Sequence, residues 1–156
     1  MPPTVAIKPP DVFIDSAGFI GLHVPDDACH QAALDCVDQT LRYSRLYTSS
    51  AVISETIGNI QRNHLLDQQN LQDLISDLLV EGWITLLAVD DAVSTKSLQM
   101  VKEKQDRRFS FVDAANIVLM EKHQIDTIFS FDTFYDGVSV RRGFSSRFIR
   151  RIPEAF

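Results

Sequence analysis

Four carboxylates stand where their local patterns would let them share one cation: Asp15, Glu55, Asp113 and Asp132. Asp15 closes a short apolar run (VFIDS), and Asp132 closes another (IFSFDTF). Asp113 falls in the first turn of an apolar helical stretch, FSFVDAANIVLM. Each has a simpler structural reading. Asp15 and Asp132 could cap helices, and Ser110 with Asp113 fits a capping box. Glu55 lies nearly opposite the stripe of Ile53, Ile57 and Ile60, where a solvated glutamate is the plain expectation. Jointly the acids say more. Carboxylates converging on one edge repel strongly at low dielectric, and a divalent cation removes that penalty. Mg²⁺ or Mn²⁺ accepts oxygen ligands, needs only one or two carboxylates directly and retains waters. Such an ion can activate water for attack on phosphorus and neutralise charge on the leaving oxygen. Ser16 and Ser130 neighbour the acids; they could steady waters or a phosphate, or make ordinary turn hydrogen bonds.

Other chemistries find less support. The four histidines (His23, His30, His64, His123) show neither an HxxxH nor an HExxH pattern, which makes zinc a poor alternative. There is no GxGxxG, Walker A or GxSxG motif, and neither cysteine has a persuasive histidine partner. Cys29 and Cys36 fall in a segment that reads as helical, where seven residues put them about 10 Å apart along the axis. That is too far for a disulfide, so free thiols and a reducing compartment are expected.

The elements that must position the acids alternate. Strands are expected at Val12–Asp15, Leu46–Ser49, Ile84–Val89 (buried) and Thr127–Phe131. Helices are expected near Ala17–Leu22, from a Pro25-Asp26-Asp27 start to about Tyr43, and over Ala51–Asn63, Asp67–Val80, Asp91–Lys104 and Ser110–Lys122. Val138–Val140 and Phe148–Ile152 could add a short strand or two. Alternating strands and helices imply right-handed crossovers and a mostly parallel sheet, hence a three-layer α/β/α fold. Ligands in such sheets bind at the carboxyl ends of the strands, where Asp15 and Asp132 lie. If the strand before it sets the helix there, Glu55 leans over the same edge.

With 156 residues the chain suits one domain: an extended proline-bearing arm over residues 1–10 and a single domain over 11–156. No apolar run is long enough for a membrane span and the arm lacks a secretory pattern, so a cytoplasmic protein is expected. The net charge of −6 is unevenly spread. Residues 1–95 hold four Lys/Arg against thirteen Asp/Glu, and residues 96–156 hold eleven against eight. The basic groups cluster in Lys96–Arg108 and Arg141–Arg151, which could form a rim that draws phosphates toward the acids. On charge alone, two solvated faces are the simpler reading.

Four segments resemble the PIN-domain family, especially its VapC-like toxin ribonucleases: VFIDSAGFIGLHVPDDACHQAA, TSSAVISETIGNI, RRFSFVDAANIVLMEKHQID and TIFSFDTFYDGV. Each motif is short; their order and spacing carry the likeness, from about Val12 to Val138. The resemblance implies a PIN-like fold with Asp15, Glu55, Asp113 and Asp132 as catalytic acids holding Mg²⁺ or Mn²⁺. It implies Asn116 and Ser130 as supporting groups, and endonucleolytic hydrolysis of RNA as the reaction. Toxin-branch members typically form homodimers and are held inactive by a small antitoxin protein. The family often has an aromatic three residues after the last acid; Tyr135 stands there, with Phe134 before it. A non-toxin RNA-processing nuclease, and a PIN-like module that binds RNA or protein without cutting, are the alternatives.

Overall fold

The computed structural model describes Met1 and residues 7–154. Of the expected arm, residues 2–6 lie outside that range; Ile7–Pro10 are exposed, and the Pro10 carbonyl accepts from the Arg45 amide at 2.8 Å.

Strand β1 (Asp11–Ile14) is the hub. Its Val12, Phe13 and Ile14 are buried, as an apolar run enclosed on both faces must be. Strand β2 (Arg45–Ser49) pairs with it on one side, and β4 (Thr127–Phe129) on the other. Strand β3 (Ile84–Leu87) extends the sheet beyond β2. Strand β7 (Arg150–Ile152) extends it beyond β4. The five-stranded order is β3-β2-β1-β4-β7, and every pairing is parallel. The tail adds more than the sequence suggests. Before β7 come β5 (Ser139–Arg142) and β6 (Ser145–Phe148), an antiparallel hairpin forming its own two-stranded sheet.

Among the described residues six helices flank the sheet: α1 (Ser16–His23), α2 (His30–Gln39), α3 (Ser50–Arg62), α4 (Gln68–Leu78), α5 (Asp91–Lys104) and α6 (Phe111–Lys122). The chain runs β1, β2, β3 toward one edge and then returns to β4 on the far side of β1. Right-handed crossovers therefore place the first four helices on one face and α5 with α6 on the other. This is the three-layer α/β/α arrangement. Because the direction of winding reverses at β1, a crevice opens at the carboxyl ends of β1 and β4.

Two expectations need correction, and one open alternative is decided. The helix expected from Pro25 to Tyr43 is only α2, His30–Gln39. Asp27 accepts from the Cys29 amide at 2.8 Å, closing a turn instead of starting the helix. Thr40, at φ −135°, breaks it before a 3₁₀ turn over Leu41–Tyr43. Cys29 thus precedes the helix, and both cysteines are free thiols. Strand β3 is not buried: it is an edge strand with Thr85 and Leu86 exposed. Finally, most of the Arg141–Arg151 cluster is spent on ion pairs away from the crevice. Arg142 and Arg147 reach Asp126, at the amino end of β4, and Arg150 reaches Glu154. Arg151 is buried against Asp136 at 2.8 Å.

Candidate active site

Asp15 follows β1 and keeps its ladder: its amide donates to the Phe129 carbonyl at 3.1 Å. It occupies the N-cap position of α1, yet its side chain makes no capping bond. The carboxylate turns inward and is only 3% exposed. Its oxygens accept from Asn116 Nδ2 at 3.1 Å and from Ser130 Oγ at 2.9 Å. Glycine makes this approach possible. A Cβ on Gly18 of α1 would stand 2.6 Å from the Phe129 carbonyl oxygen, so only a bare backbone can lie this close to β4.

Asp113 does cap. Ser110 and Asp113 form a reciprocal capping box at the start of α6. That box uses one carboxylate oxygen, Oδ2, at 2.9 Å from the Ser110 amide. The other, Oδ1, accepts from the Tyr135 hydroxyl at 3.3 Å. Asp132 is exposed at the start of a 3₁₀ turn over Thr133–Tyr135, and accepts from the Phe134 amide at 2.9 Å. The Asp132 amide donates to Ser130 Oγ at 3.1 Å, so one serine hydroxyl touches both Asp132 and Asp15.

Glu55 is not a solvated glutamate. It is half-buried, and Ser16 donates its hydroxyl to Glu55 Oε2 at 2.6 Å. The Ser49 hydroxyl accepts from the Val52 amide and caps α3 at the carboxyl end of β2, which aims the first turns of α3 over the crevice.

The electrostatics bind the four acids into one neighbourhood. Burial pushes the Asp15 carboxyl up to about 7, against the opposing hydrogen bond from Ser130; the charges of Glu55 and Asp113 raise it further. Burial likewise raises Glu55, as do Asp113 and Asp132, while the Ser16 hydroxyl and the Arg62 cation oppose the rise. Tyr135 is raised well above an ordinary phenol, first by burial and then by Asp15, Asp113 and Asp132. Asp15 and Glu55, held protonated by burial and by neighbouring carboxylates, are groups from which a divalent cation would displace the proton.

The donor set fits Mg²⁺ or Mn²⁺. It consists of oxygens: the acids, the Ser16 and Ser130 hydroxyls, and the amide oxygen of Asn116. That last atom is fully buried beside Asp15 and has no hydrogen-bond partner. Among the described residues no group of three His, Cys, Asp or Glu side chains is arranged to hold an ion alone. A water-carrying octahedral ion needs no such cage.

Sequence reasoning missed the hydroxyl of Tyr135. It accepts from Asn116 Nδ2 at 2.9 Å and donates to Asp113, so a continuous chain runs Asp15–Asn116–Tyr135–Asp113. The available signal was the aromatic three residues after Asp132. It also missed Arg62, whose guanidinium folds back over Gly58: a Cβ there would stand 2.9 Å from Nη1.

Comparison with known proteins bears on the family and the fold. The model of the PIN domain family matches residues 12–139. VapC20 of Mycobacterium tuberculosis, a Sarcin-Ricin loop cleaving toxin, superposes with a TM-score of 0.70 at 21% identity, over 79% of this chain and 91% of that one. VapBC2 from Rickettsia felis, bound to a DNA fragment from their promoter, gives 0.59 at 7% identity, over 80% and 90%. FitAcB from Neisseria gonorrhoeae gives 0.53 at 17% identity, over 78% and 88%. At these identities the likeness is one of fold. No curated protein matches the chain.

Proposed function

The chain belongs to the PIN domain family, and on that premise we propose that it is a Mg²⁺- or Mn²⁺-dependent endoribonuclease, the toxin of a toxin–antitoxin pair. One observation carries the catalytic part. Asp15 occupies a capping position without capping, and turns its buried carboxylate toward the residues that hold Asp113 and Asp132.

In this reading Asp15, Glu55, Asp113 and Asp132 hold the ion and are the catalytic acids. When bound, the ion supplies Lewis acidity toward the phosphodiester and lowers the pKa of water at neutral pH. The chain's own part is preorganisation. Asn116 and Ser130 fix both oxygens of Asp15, so the carboxylate meets an incoming cation without reorienting. Ser16 does the same for Glu55, and Tyr135 for the free oxygen of Asp113. The unpartnered carbonyl of Asn116 is an acceptor for a water proton in the otherwise anionic pocket.

The toxin assignment and the small antitoxin partner are proposed on likeness to VapC20, VapBC2 and FitAcB, and a homodimeric state on the resemblance to the toxin branch of the family. A cytoplasmic location fits that role; no helix among the described residues is long and apolar enough to cross a membrane.

The test is cleavage of an end-labelled RNA hairpin by the full chain with Mg²⁺ or Mn²⁺. Metal-stimulated cleavage should fall at least about a hundredfold in Asp15→Asn and in Asp113→Asn while circular dichroism stays unchanged. Metal-stimulated cleavage that survives both substitutions would overturn the site.

A further inference from the structure

We propose that Lys104 is the residue that takes the phosphate backbone of RNA at the lip of the pocket, and that Phe109 and Phe134 hold it there. The proposal rests on the ribonuclease reading above.

Lys104 is the last residue of α5, and Gln105, at φ 50°, turns the chain away from the helix. Its ammonium lies over two rings at once, 4.6 Å from the centroid of Phe109 and 4.8 Å from that of Phe134. The rings are themselves in contact, 5.3 Å apart at 38°. Their places in the chain matter. Phe109 is buried immediately before Ser110, the residue that grips Asp113. Phe134 sits in the turn that Asp132 caps. The ammonium is therefore fastened between the two segments that present Asp113 and Asp132.

A free lysine head on an exposed surface samples many rotamers, and binding a phosphate costs much of that freedom. Here the cation–π contacts have already restricted it. Its charge also remains available. Arg142, Arg147, Arg150 and Arg151 are all engaged by carboxylates, whereas Lys104 makes no ion pair among the described residues. Arg107, exposed in the connection that leads to Phe109, carries the same sign, whereas Arg108 pairs with Asp106 at 3.6 Å, an acid that also lies in the field of Lys104. A strand of RNA approaching four carboxylates meets repulsion, and a cation held at the rim offsets it before any ion-dependent contact forms.

The experiment uses the full chain carrying Asp113→Asn, with Mg²⁺ present, and a fluorescein-labelled single-stranded RNA. Binding is followed by anisotropy between 50 and 200 mM KCl, roughly the range over which phosphate contacts dominate salt dependence. Lys104→Met keeps an apolar stem over the rings and removes the charge. It should weaken binding about fivefold to tenfold and lower the salt slope by about 0.7, the value for one contact on a single strand. Lys104→Arg should retain affinity and slope within about twofold, because the charge stays on the rings. Arg150→Gln, remote from the lip, should change neither. An unchanged slope in Lys104→Met, with the unsubstituted chain cleaving RNA, overturns the role of Lys104 and leaves the ribonuclease reading standing. Equal losses in Lys104→Met and Lys104→Arg overturn it as well, since charge would then not be what matters. Failure of the unsubstituted chain to cleave RNA, or of the Asp113→Asn chain to bind it, overturns both readings.

Discussion

The hydroxyl of Ser16 reaches Glu55 at 2.6 Å across 39 positions of sequence. It is the contact that draws a helix-surface glutamate into the crevice beside Asp15. An O–H bond to a carboxylate at this length is charge-assisted and among the stronger neutral-to-ion contacts. Both partners are half-buried, so solvent does not readily replace it. Ser16→Ala should therefore leave the fold within about 1 kcal/mol of its original stability. It should weaken Mn²⁺ binding by about threefold to tenfold, read by calorimetry, because Glu55 regains its rotamers. An unchanged affinity would mean that Glu55 does not depend on Ser16.

Tyr135 is fully buried, and its hydroxyl touches both Asn116 and Asp113. Tyr135→Phe deletes one oxygen and leaves Asn116 Nδ2 with Asp15 as its remaining acceptor. The expected cost is about 1 to 2 kcal/mol in urea unfolding. Cleavage should drop more than binding does, since the loss falls on the alignment of Asp113 and Asp15.

The burial of Asp15 makes a prediction about pH. Its carboxyl is raised from 3.8 to about 7 in the folded protein. Between those values the unfolded chain releases a proton that the folded chain keeps, so the metal-free fold loses stability as pH rises through that window and levels off above it. The shift bounds the effect at about 4 kcal/mol. Glu55 is raised too, and acts in the same direction. In EDTA the protein should melt lower at pH 8 than at pH 5, and Asp15→Asn should remove most of the difference. Mn²⁺ should restore stability chiefly at the higher pH, because it binds the ionised acids.

Gly18→Ala places a methyl group 2.6 Å from the Phe129 carbonyl and 2.7 Å from its ring. Neither neighbour is a flexible chain end, so α1 must move off β4 and carry Asp15 with it. We expect a loss of about 2 to 4 kcal/mol in urea unfolding, against the gain of up to about 1 kcal/mol that glycine-to-alanine gives in an unhindered helix.

Much of the frame could be read from residue patterns, because apolar periodicity is local. The helix expected over Asp91–Lys104 is found with those bounds, and Asp15, Asp113 and Asp132 sit at the ends of elements as expected. The misreadings came where a side chain intervened. Asp27 closes a turn onto Cys29 and shortens α2, which composition does not reveal. For the arginines near the end of the chain, a phosphate-attracting rim and a solvated face were both open on composition, and the β5–β6 hairpin directs two of them to Asp126. Within the site, the four acids and their neighbours Ser16, Asn116 and Ser130 were named from the sequence, but which side chain meets which was not. Ser16 to Glu55, Tyr135 to Asp113 and Asn116 to Asp15 are contacts between distant positions, fixed only once the sheet order brings β1, β4 and the start of α6 together.

The most direct measurement is calorimetric titration of Mn²⁺ into the full chain at pH 8, alongside Asp15→Asn and Asp113→Asn. The account predicts a saturable heat for the unsubstituted protein and affinity at least about tenfold weaker in each variant, with all three equally folded. Indistinguishable isotherms from the three proteins, or no specific heat from any, would contradict it.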